Sequence, residues 1–395
     1  MSSNPDVLVV GAGVVGCSLA FHLARARCRT IVFDKGDICA GMSARSGALI
    51  RMHYTFAPEV ELAWKSLAYF SDWGEVVGGE CGFVRTGFAL VVGPDNAARL
   101  RRNVAMMRGL GVEVELYDGM QLHEVDRWLN VDDIALAAYE PQSGYADPVA
   151  TTRGLAEAAE RHGARFVLNS PVSAIQVKGG QATGVRTTDG QALNASAVCV
   201  ATGPWTDRLL APLGVRIGIT TERAQIAYFR REPVTSHLAY IDCIAGSYFR
   251  PHGSNLTLAG LGAWQSEAEP NPDNFRVTND SEFIHEVQRR LGHRLPVMKP
   301  AEYSHGHAGI YDVTPDSRAV LGKVPGIDGL FVAAGFSGTG FKTAPAVGAA
   351  MAEMIISGHS SIVDINQFAF DRILTGRLIH PIDEYTMGAS FGHSL

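Results

Sequence analysis

The sequence predicts an α/β fold: a mostly parallel sheet wrapped by helices, with an interleaved α+β domain built on a mainly antiparallel sheet. Three observations predict it. Residues 6–35 run strand, glycine turn, helix, strand, acid. Residues 330–356 repeat the order strand, glycine loop, helix. Two long stretches between them, about 83–142 and 220–305, have the extended texture of a different sheet.

Taken in order, Asp6-Val7-Leu8-Val9-Val10 forms a short buried strand, and Thr30-Ile31-Val32-Phe33-Asp34 a second one ending in an acid. Between them Gly11-Ala12-Gly13-Val14-Val15-Gly16 opens a helix. This is a Rossmann-like dinucleotide fingerprint. Gly11 allows the sharp turn, Gly13 lets backbone approach a pyrophosphate, and Gly16 lets helix and sheet pack closely. The helix N-terminus at Val14 and Val15 then faces the phosphates. Asp34 stands 18 residues after Gly16, near the spacing at which a carboxylate meets a ribose hydroxyl, and Lys35 follows it. Next comes Gly41-Met42-Ser43-Ala44-Arg45-Ser46-Gly47-Ala48, small and hydroxyl residues able to wrap a phosphate–ribose chain, and then Arg51-Met52-His53-Tyr54. Glu59 to Phe70 has the pattern of an amphipathic helix in which Trp64 and Tyr69 pack.

From Phe83 to Val92 two extended runs meet near a glycine, followed by a helix from Asp95 to Leu110. Gly144-Tyr145-Ala146-Asp147-Pro148 marks a return to the first domain, with Asp147 capping a helix whose first turn holds Pro148 and which runs to His162. Strands around Phe166, Ile175 and Val185 lead to a buried strand, Ala197 to Ala201, ending in Thr202-Gly203-Pro204-Trp205. A helix is expected over Asp280 to Leu291. Leu330 to Ala334 is a strand, Gly335-Phe336-Ser337-Gly338-Thr339-Gly340-Phe341-Lys342 a glycine loop, and an Ala-rich helix runs from about Ala344 to Ile356. A second cofactor loop so far from the first argues against a contiguous nicotinamide domain. It fits a long cofactor touched at both ends, which means FAD. The expected boundaries are 1–85, 146–215 and 306–395 for the FAD-binding domain, and 86–145 with 216–305 for the substrate domain.

Composition narrows the function. Hydrophobic residues at 46%, charged ones at 19% and a net charge of −6 exclude a nucleic-acid-coating or disordered protein. No apolar run is long enough for a membrane span, and Met1 to Pro5 has no basic-then-apolar signal, so a cytoplasmic protein is expected. The six cysteines are scattered without metal-ligand spacing, which points to reduced thiols and no metal.

These motifs together resemble the flavin amine oxidoreductases of the D-amino-acid oxidase superfamily, in the pattern of sarcosine oxidase and glycine oxidase. The resemblance rests on the opening fingerprint, Ser43 to Ala48, Gly144 to Pro148, Ala201-Thr202-Gly203-Pro204-Trp205, and Ala333 to Lys342. It implies that Gly11 to Gly16 hold the pyrophosphate, Asp34 the adenosine ribose, that Val172 lies near the adenine, and that Gly338 to Lys342 lie beside the flavin ring. Ser43, Arg45, Ser46, Gly47, Ala48, Ala201, Thr202, Gly203, Trp205, Gly309, Gly335, Phe336 and Ser337 complete the expected cofactor contacts. It further implies a carboxylate clamp of Arg51 and Lys342, with Tyr248 in the active site. His53 is a further catalytic candidate, and Tyr54, His252, His305 and His307 are candidates to line the pocket.

Three departures from the family pattern matter. Gly309 stands where some members attach FAD through cysteine, and Arg45 where others use histidine, so FAD is expected to be non-covalent. Thr257 stands at the counterpart of the lysine that sarcosine oxidase uses near oxygen, which predicts slow re-oxidation by O2. The expected function is FAD-dependent oxidation of an amine or amino acid by hydride transfer, with O2 or another acceptor completing the cycle. The alternatives are a 2-hydroxy-acid dehydrogenase, which a carboxylate clamp serves equally well, and a flavin-binding electron-transfer subunit of a larger complex.

Overall fold

The structure is a computed structural model that describes residues 4–262, 264 and 270–385. A six-stranded sheet has the order Val320–Lys323, Leu330–Ala334, Ala197–Val200, Val7–Val10, Thr30–Phe33, Arg165–Val167. All its pairs are parallel except that of Val320–Lys323 with Leu330–Ala334. Val7–Val10 is central, with Thr30–Phe33 on one side and Ala197–Val200 on the other, so chain order reverses there. A crevice at the carboxyl ends of parallel strands follows from that reversal.

The two extended stretches form one eight-stranded sheet: Tyr303–Val313, Thr220–Arg230, Leu256–Leu261, Ser247–His252, Ala239–Asp242, Phe88–Val92, Leu136–Glu140, Glu115–Tyr117. Ala239–Asp242 runs parallel to Phe88–Val92; the other pairs are antiparallel. The strand Tyr303–Val313 runs straight through the expected boundary at 305/306, because its pairing with Thr220–Arg230 continues to Thr220↔Val313. Val172–Lys178, Gln181–Thr187 and Ala192–Asn194 make a small antiparallel sheet of their own.

Three helices pack together behind the crevice. Val14–Arg25 is buried along almost its whole length, and Gly340–Ser357 crosses it at Gly348. Gly340–Ser357 begins about one turn earlier than its sequence suggests. Pro345 reads as a near-terminal proline but lies inside the helix. Proline removes a ladder donor, and Ser66 of the neighbouring helix Ala57–Ser71 mends the disturbed turn: its hydroxyl donates to Thr343 O at 3.1 Å and accepts from Ala346 N at 3.0 Å. Trp64 on the same helix is not a core residue; it is 38% exposed and covers Gly111 at the surface. Asp147 caps Pro148–Arg161 as expected, accepting from Val149 N and Ala150 N. All six cysteines are free, and no helix among the described residues is long and apolar enough to cross a membrane.

The crossing at Gly348 is backbone-tight. A Cβ there would lie 2.1 Å from Ser18 Oγ and 2.6 Å from the Ser18 carbonyl carbon. Gly348→Ala should therefore destabilise the fold by about 1–3 kcal/mol, as overpacking does. Gly109→Ala, in a helix and with open space around it, should be neutral or stabilise by up to about 1 kcal/mol. Thermal denaturation of the two variants checks both; equal midpoints would mean that the helix crossing is slack.

Candidate active site

A cavity of about 760 Å³ opens between the carboxyl ends of the parallel strands and one face of the large sheet. Its size falls in the roughly 300–1,000 Å³ range of small-molecule and cofactor sites. Val10, Phe33, Ala201 and Ala333 bring the ends of the central strands to it. The large sheet supplies a floor thinned by small residues: Gly309 pairs with Ala224, and Gly262 lies nearby. Gly260 underlies Tyr248, where a Cβ would meet the ring at 2.3 Å. The Tyr248 ring therefore depends on glycine at its cross-strand neighbour.

Of the glycines among the expected cofactor contacts, only Gly16 and Gly335 stay out of the cavity lining. Both act from behind it. A Cβ on Gly16 would lie 1.9 Å from Gly11 O, and Gly335 N donates to Asp312 at 2.7 Å. Gly11 has φ +114, and a Cβ there would lie 2.3 Å from Ala201 O. Asp34 anchors the glycine loop, accepting from Ala12 N at 2.7 Å and Gly36 N at 2.8 Å, one bond to each oxygen. Each oxygen keeps a lone pair for a ribose hydroxyl. Ser43 accepts from Val14 N at 2.9 Å, so the loop 41–48 closes over the helix N-terminus. Lys35 and Trp205 line the cavity and hold its mouth. The Lys35 ammonium lies 3.7 Å from the Trp205 ring centre, and Lys35, Trp205 and Arg208 all bind Asp273. Against the cost of its partial burial, these bonds hold the Asp273 carboxyl down to about 2.

Arg51, Lys342 and Tyr248 line the same cavity. Arg51 is 4% exposed and Lys342 7%. Among the described residues neither makes an ion pair. The Arg51 guanidinium lies 4.4 Å and the Lys342 ammonium 5.7 Å from the centre of the Tyr54 ring, so Tyr54 is the buried wall under both cations rather than a pocket residue. Burial, with Arg51 adding to it, pushes the Lys342 ammonium well below its usual pKa. Nearby Glu59 is 3% exposed and 3.1 Å from Arg318; burial pushes its carboxyl up to about 7, against the pull of Arg318 and Arg51. Glu140, fully buried, accepts from Met52 N at 2.9 Å and from the Ser143 hydroxyl, so it fixes the backbone that follows Arg51.

The structure corrects five further placements. His53 does not line the cavity: its Nε2 lies 2.6 Å from the Tyr385 hydroxyl, and burial pushes its pKa down to about 3, so it is neutral and points away. His252 and His305 pack on Tyr228, and His307 meets the Arg45 carbonyl at 3.3 Å. Thr257 lies on the face of its strand opposite Gly260, bonded to His237 at 2.8 Å, because register alternates along the strand. It is not among the residues that line the cavity. Residues that sequence reasoning missed are Glu59, Tyr311 and Asp312. The first carried a signal: Glu59, Ala63, Ser66 and Phe70 share one buried helix face. Tyr311 lines the cavity beneath Gly338, and burial pushes Asp312 up to about 6.

The sequence profile of the family described as DAO, FAD dependent oxidoreductase, matches residues 6–354. The chain is 28% identical to FAD-dependent oxidoreductase domain-containing protein 1 of Bos taurus, over 94% of this chain and 85% of that one. It is 28% identical to the glycine oxidase of Geobacillus kaustophilus, over 94% and 98%. Among solved structures, L-proline dehydrogenase from P. horikoshii superposes with a TM-score of 0.88 at 26% identity, covering 96% of this chain and all of that one.

The lining fits FAD. Glycines crowd the phosphate turn, an acid stands at the second strand, and a second helix N-terminus at Gly340 opens on the same cavity. A Cβ on Gly309 would lie 3.1 Å from Arg45 Cβ, so the two positions that the sequence resemblance implied for covalent attachment face each other, and neither carries a thiol or imidazole. Acid precipitation should release FAD into the supernatant; colour retained in the pellet would reveal a covalent bond. Gly13→Val should empty the site, since a side chain there intrudes between Ser43 and the pyrophosphate path. Normal flavin content in that variant would place the cofactor elsewhere.

Proposed function

The chain belongs to the FAD-dependent oxidoreductase family, and on that premise we propose that it oxidises an α-amino acid whose carboxylate is held by Arg51 and Lys342. The observation that carries this reading is a pair of buried cations in the cavity wall with no carboxylate paired to either among the described residues. A buried charge is costly unless a counter-ion joins it, and a substrate carboxylate supplies one. Glycine and L-proline, named for the similar oxidase and dehydrogenase, both place an amine beside a carboxylate.

FAD, when bound, would supply the hydride acceptor for the carbon that bears the amine. The chain supplies position and field. The Arg51 fork and the Lys342 ammonium fix the carboxylate, Tyr248 and Ile241 wall the site, and the helix N-terminus at Gly340 favours negative charge developing in the cavity. Orientation and a neutral amine suffice for this chemistry without a strong base. The imine product hydrolyses in water. Anaerobic bleaching of the flavin against amino acids, N-methyl amines and 2-hydroxy acids tests the reading: amino acids should bleach it fastest. Bleaching by 2-hydroxy acids alone would make it a hydroxy-acid dehydrogenase, and no bleaching by any of them an electron-transfer subunit. The acceptor is assigned by mixing reduced enzyme with oxygenated buffer and measuring peroxide.

Arg51→Ala should cost about 2–5 kcal/mol in kcat/KM for the acidic substrate, much of it from an anion left unpaired. That is a loss of roughly 30-fold to several thousand-fold. Arg51→Lys should recover part of it, since an ammonium lacks the planar fork. Amines without a carboxylate should be little affected. Intact turnover of acidic substrates in Arg51→Ala ends the clamp assignment. pH adds a second test. Lys342 has a depressed pKa, so its charge is present at low pH and lost as pH rises through that value. Carboxylate affinity should weaken with rising pH while Arg51 stays charged, and Lys342→Met should flatten the profile. A flat profile in the parent enzyme would exclude Lys342 from the clamp.

A further inference from the structure

We infer that the C-terminal strap, Ile379 to Tyr385, completes the carboxylate site from behind, with Tyr385 acting through His53 as a positioning residue for Arg51. The inference rests on the proposed clamp. The strap is tied by polar contacts rather than by regular structure. Ile379 N donates to Asp316 at 3.1 Å, Asp383 pairs with Arg102 at 2.7 Å, and Glu384 pairs with Arg318 at 2.8 Å. Tyr385 is 8% exposed, whereas Ile382, three residues earlier, is 95% exposed. Ile382 stays in water while Tyr385 packs into the main hydrophobic cluster, so the strap is held by its polar ties together with one buried ring.

Two contacts of the strap lead to the clamp. The first runs through Tyr385. Asn103 Nδ2 donates to the Asp383 carbonyl and to the Tyr385 oxygen, each at 3.0 Å. The Tyr385 oxygen also lies 2.6 Å from His53 Nε2, so Asn103 and His53 share it. The two rings stack with centroids 5.9 Å apart and planes 26° apart. The His53 carbonyl in turn accepts from the Arg51 guanidinium. His53 therefore has its ring held by the strap and its carbonyl held on Arg51. The second tie runs through Glu384 to Arg318, whose other partner is Glu59, the acid beside Arg51 and Lys342. Helix Pro94–Gly109, which carries Arg102 and Asn103, is thereby joined to the cation pair across the interface between the two sheets.

The test uses the FAD-loaded full chain with acetate as the probe, read by the change in visible flavin absorbance, alongside steady-state turnover of an acidic substrate and of an amine without a carboxylate. Tyr385→Phe removes one hydroxyl and keeps the ring. It should weaken acetate binding and raise KM for the acidic substrate about 3- to 10-fold, the scale of one buried hydrogen bond. Turnover of the plain amine should stay unchanged, which a merely structural role would not produce. Asn103→Ala, which removes the other hydrogen bond to the Tyr385 oxygen, should give the same selective shift and serves if Tyr385→Phe does not fold. Arg51→Ala separates the two levels of inference. If that variant keeps acetate affinity, the clamp itself is wrong. If it loses affinity while Tyr385→Phe binds acetate as the parent does, the clamp stands and the strap inference falls. In the double variant, Tyr385→Phe should add no further loss; additive losses would overturn the coupling.

Discussion

The structure depends on three backbone segments meeting with no room for a side chain between them. At Gly11 the chain takes φ +114 with its α-carbon against Ala201, and the start of the first helix presses on Gly11 at Gly16. The obstructing atoms at Gly11 and Gly16 are backbone, so no rotamer change relieves a substituent. This contact sets where Val7–Val10, Ala197–Val200 and the helix Val14–Arg25 end relative to one another. The cavity is the space left beyond those ends. Asp34, bonded to Ala12 N, locks the second strand to the same turn.

Around that fixed edge the two sheets divide the work. The parallel sheet offers strand ends and helix N-termini, which are positive and suit phosphates and developing negative charge. The large sheet offers a flat face whose shape is set residue by residue through cross-strand register. Gly309, Ala224 and Gly260 lower the floor where volume is needed, and Tyr248 and Tyr311 raise it elsewhere. The glycine loop 335–340 joins the two, because Asp312 at the end of a large-sheet strand receives Gly335 N and its carbonyl receives Ser337 N at 3.1 Å.

Buried charge is arranged as carefully as volume. Arg51 and Lys342 share one wall, and their repulsion, added to burial, depresses the lysine. Glu59 offsets part of this from behind but is itself paired with Arg318, and Arg318 is held by Glu384. Among the described residues neither cation has a direct carboxylate partner. At the other side of the cavity, Asp273 gathers Lys35, Trp205 and Arg208, so the loop around residue 273 is fastened to the end of the second strand and to the turn at Trp205 by charge-assisted bonds.

The sequence by itself determined the cofactor side. Glycine spacing, a terminal acid and strand–loop–helix order are local patterns, and local patterns are legible because backbone geometry dictates residue type within a few positions. Hence the fingerprint, the loop 41–48 and the motif 335–342 all converge on one cavity. Arg51 and Lys342 were legible through family pattern alone; nothing local distinguishes a buried arginine from a surface one. Tertiary structure decided what depends on register and on distant chain. Thr257 and Leu258 are neighbours in sequence, yet the pleat sends one to His237 and the other towards Gly47. His53 adjoins an active-site motif but turns to Tyr385, more than three hundred positions away. Gly340–Ser357 starts before its proline, where Ser66 of another helix bonds to Thr343 O and Ala346 N. Each of these outcomes is a competition between a local preference and a partner from elsewhere in the chain, and the partner is known only once the sheets are assembled.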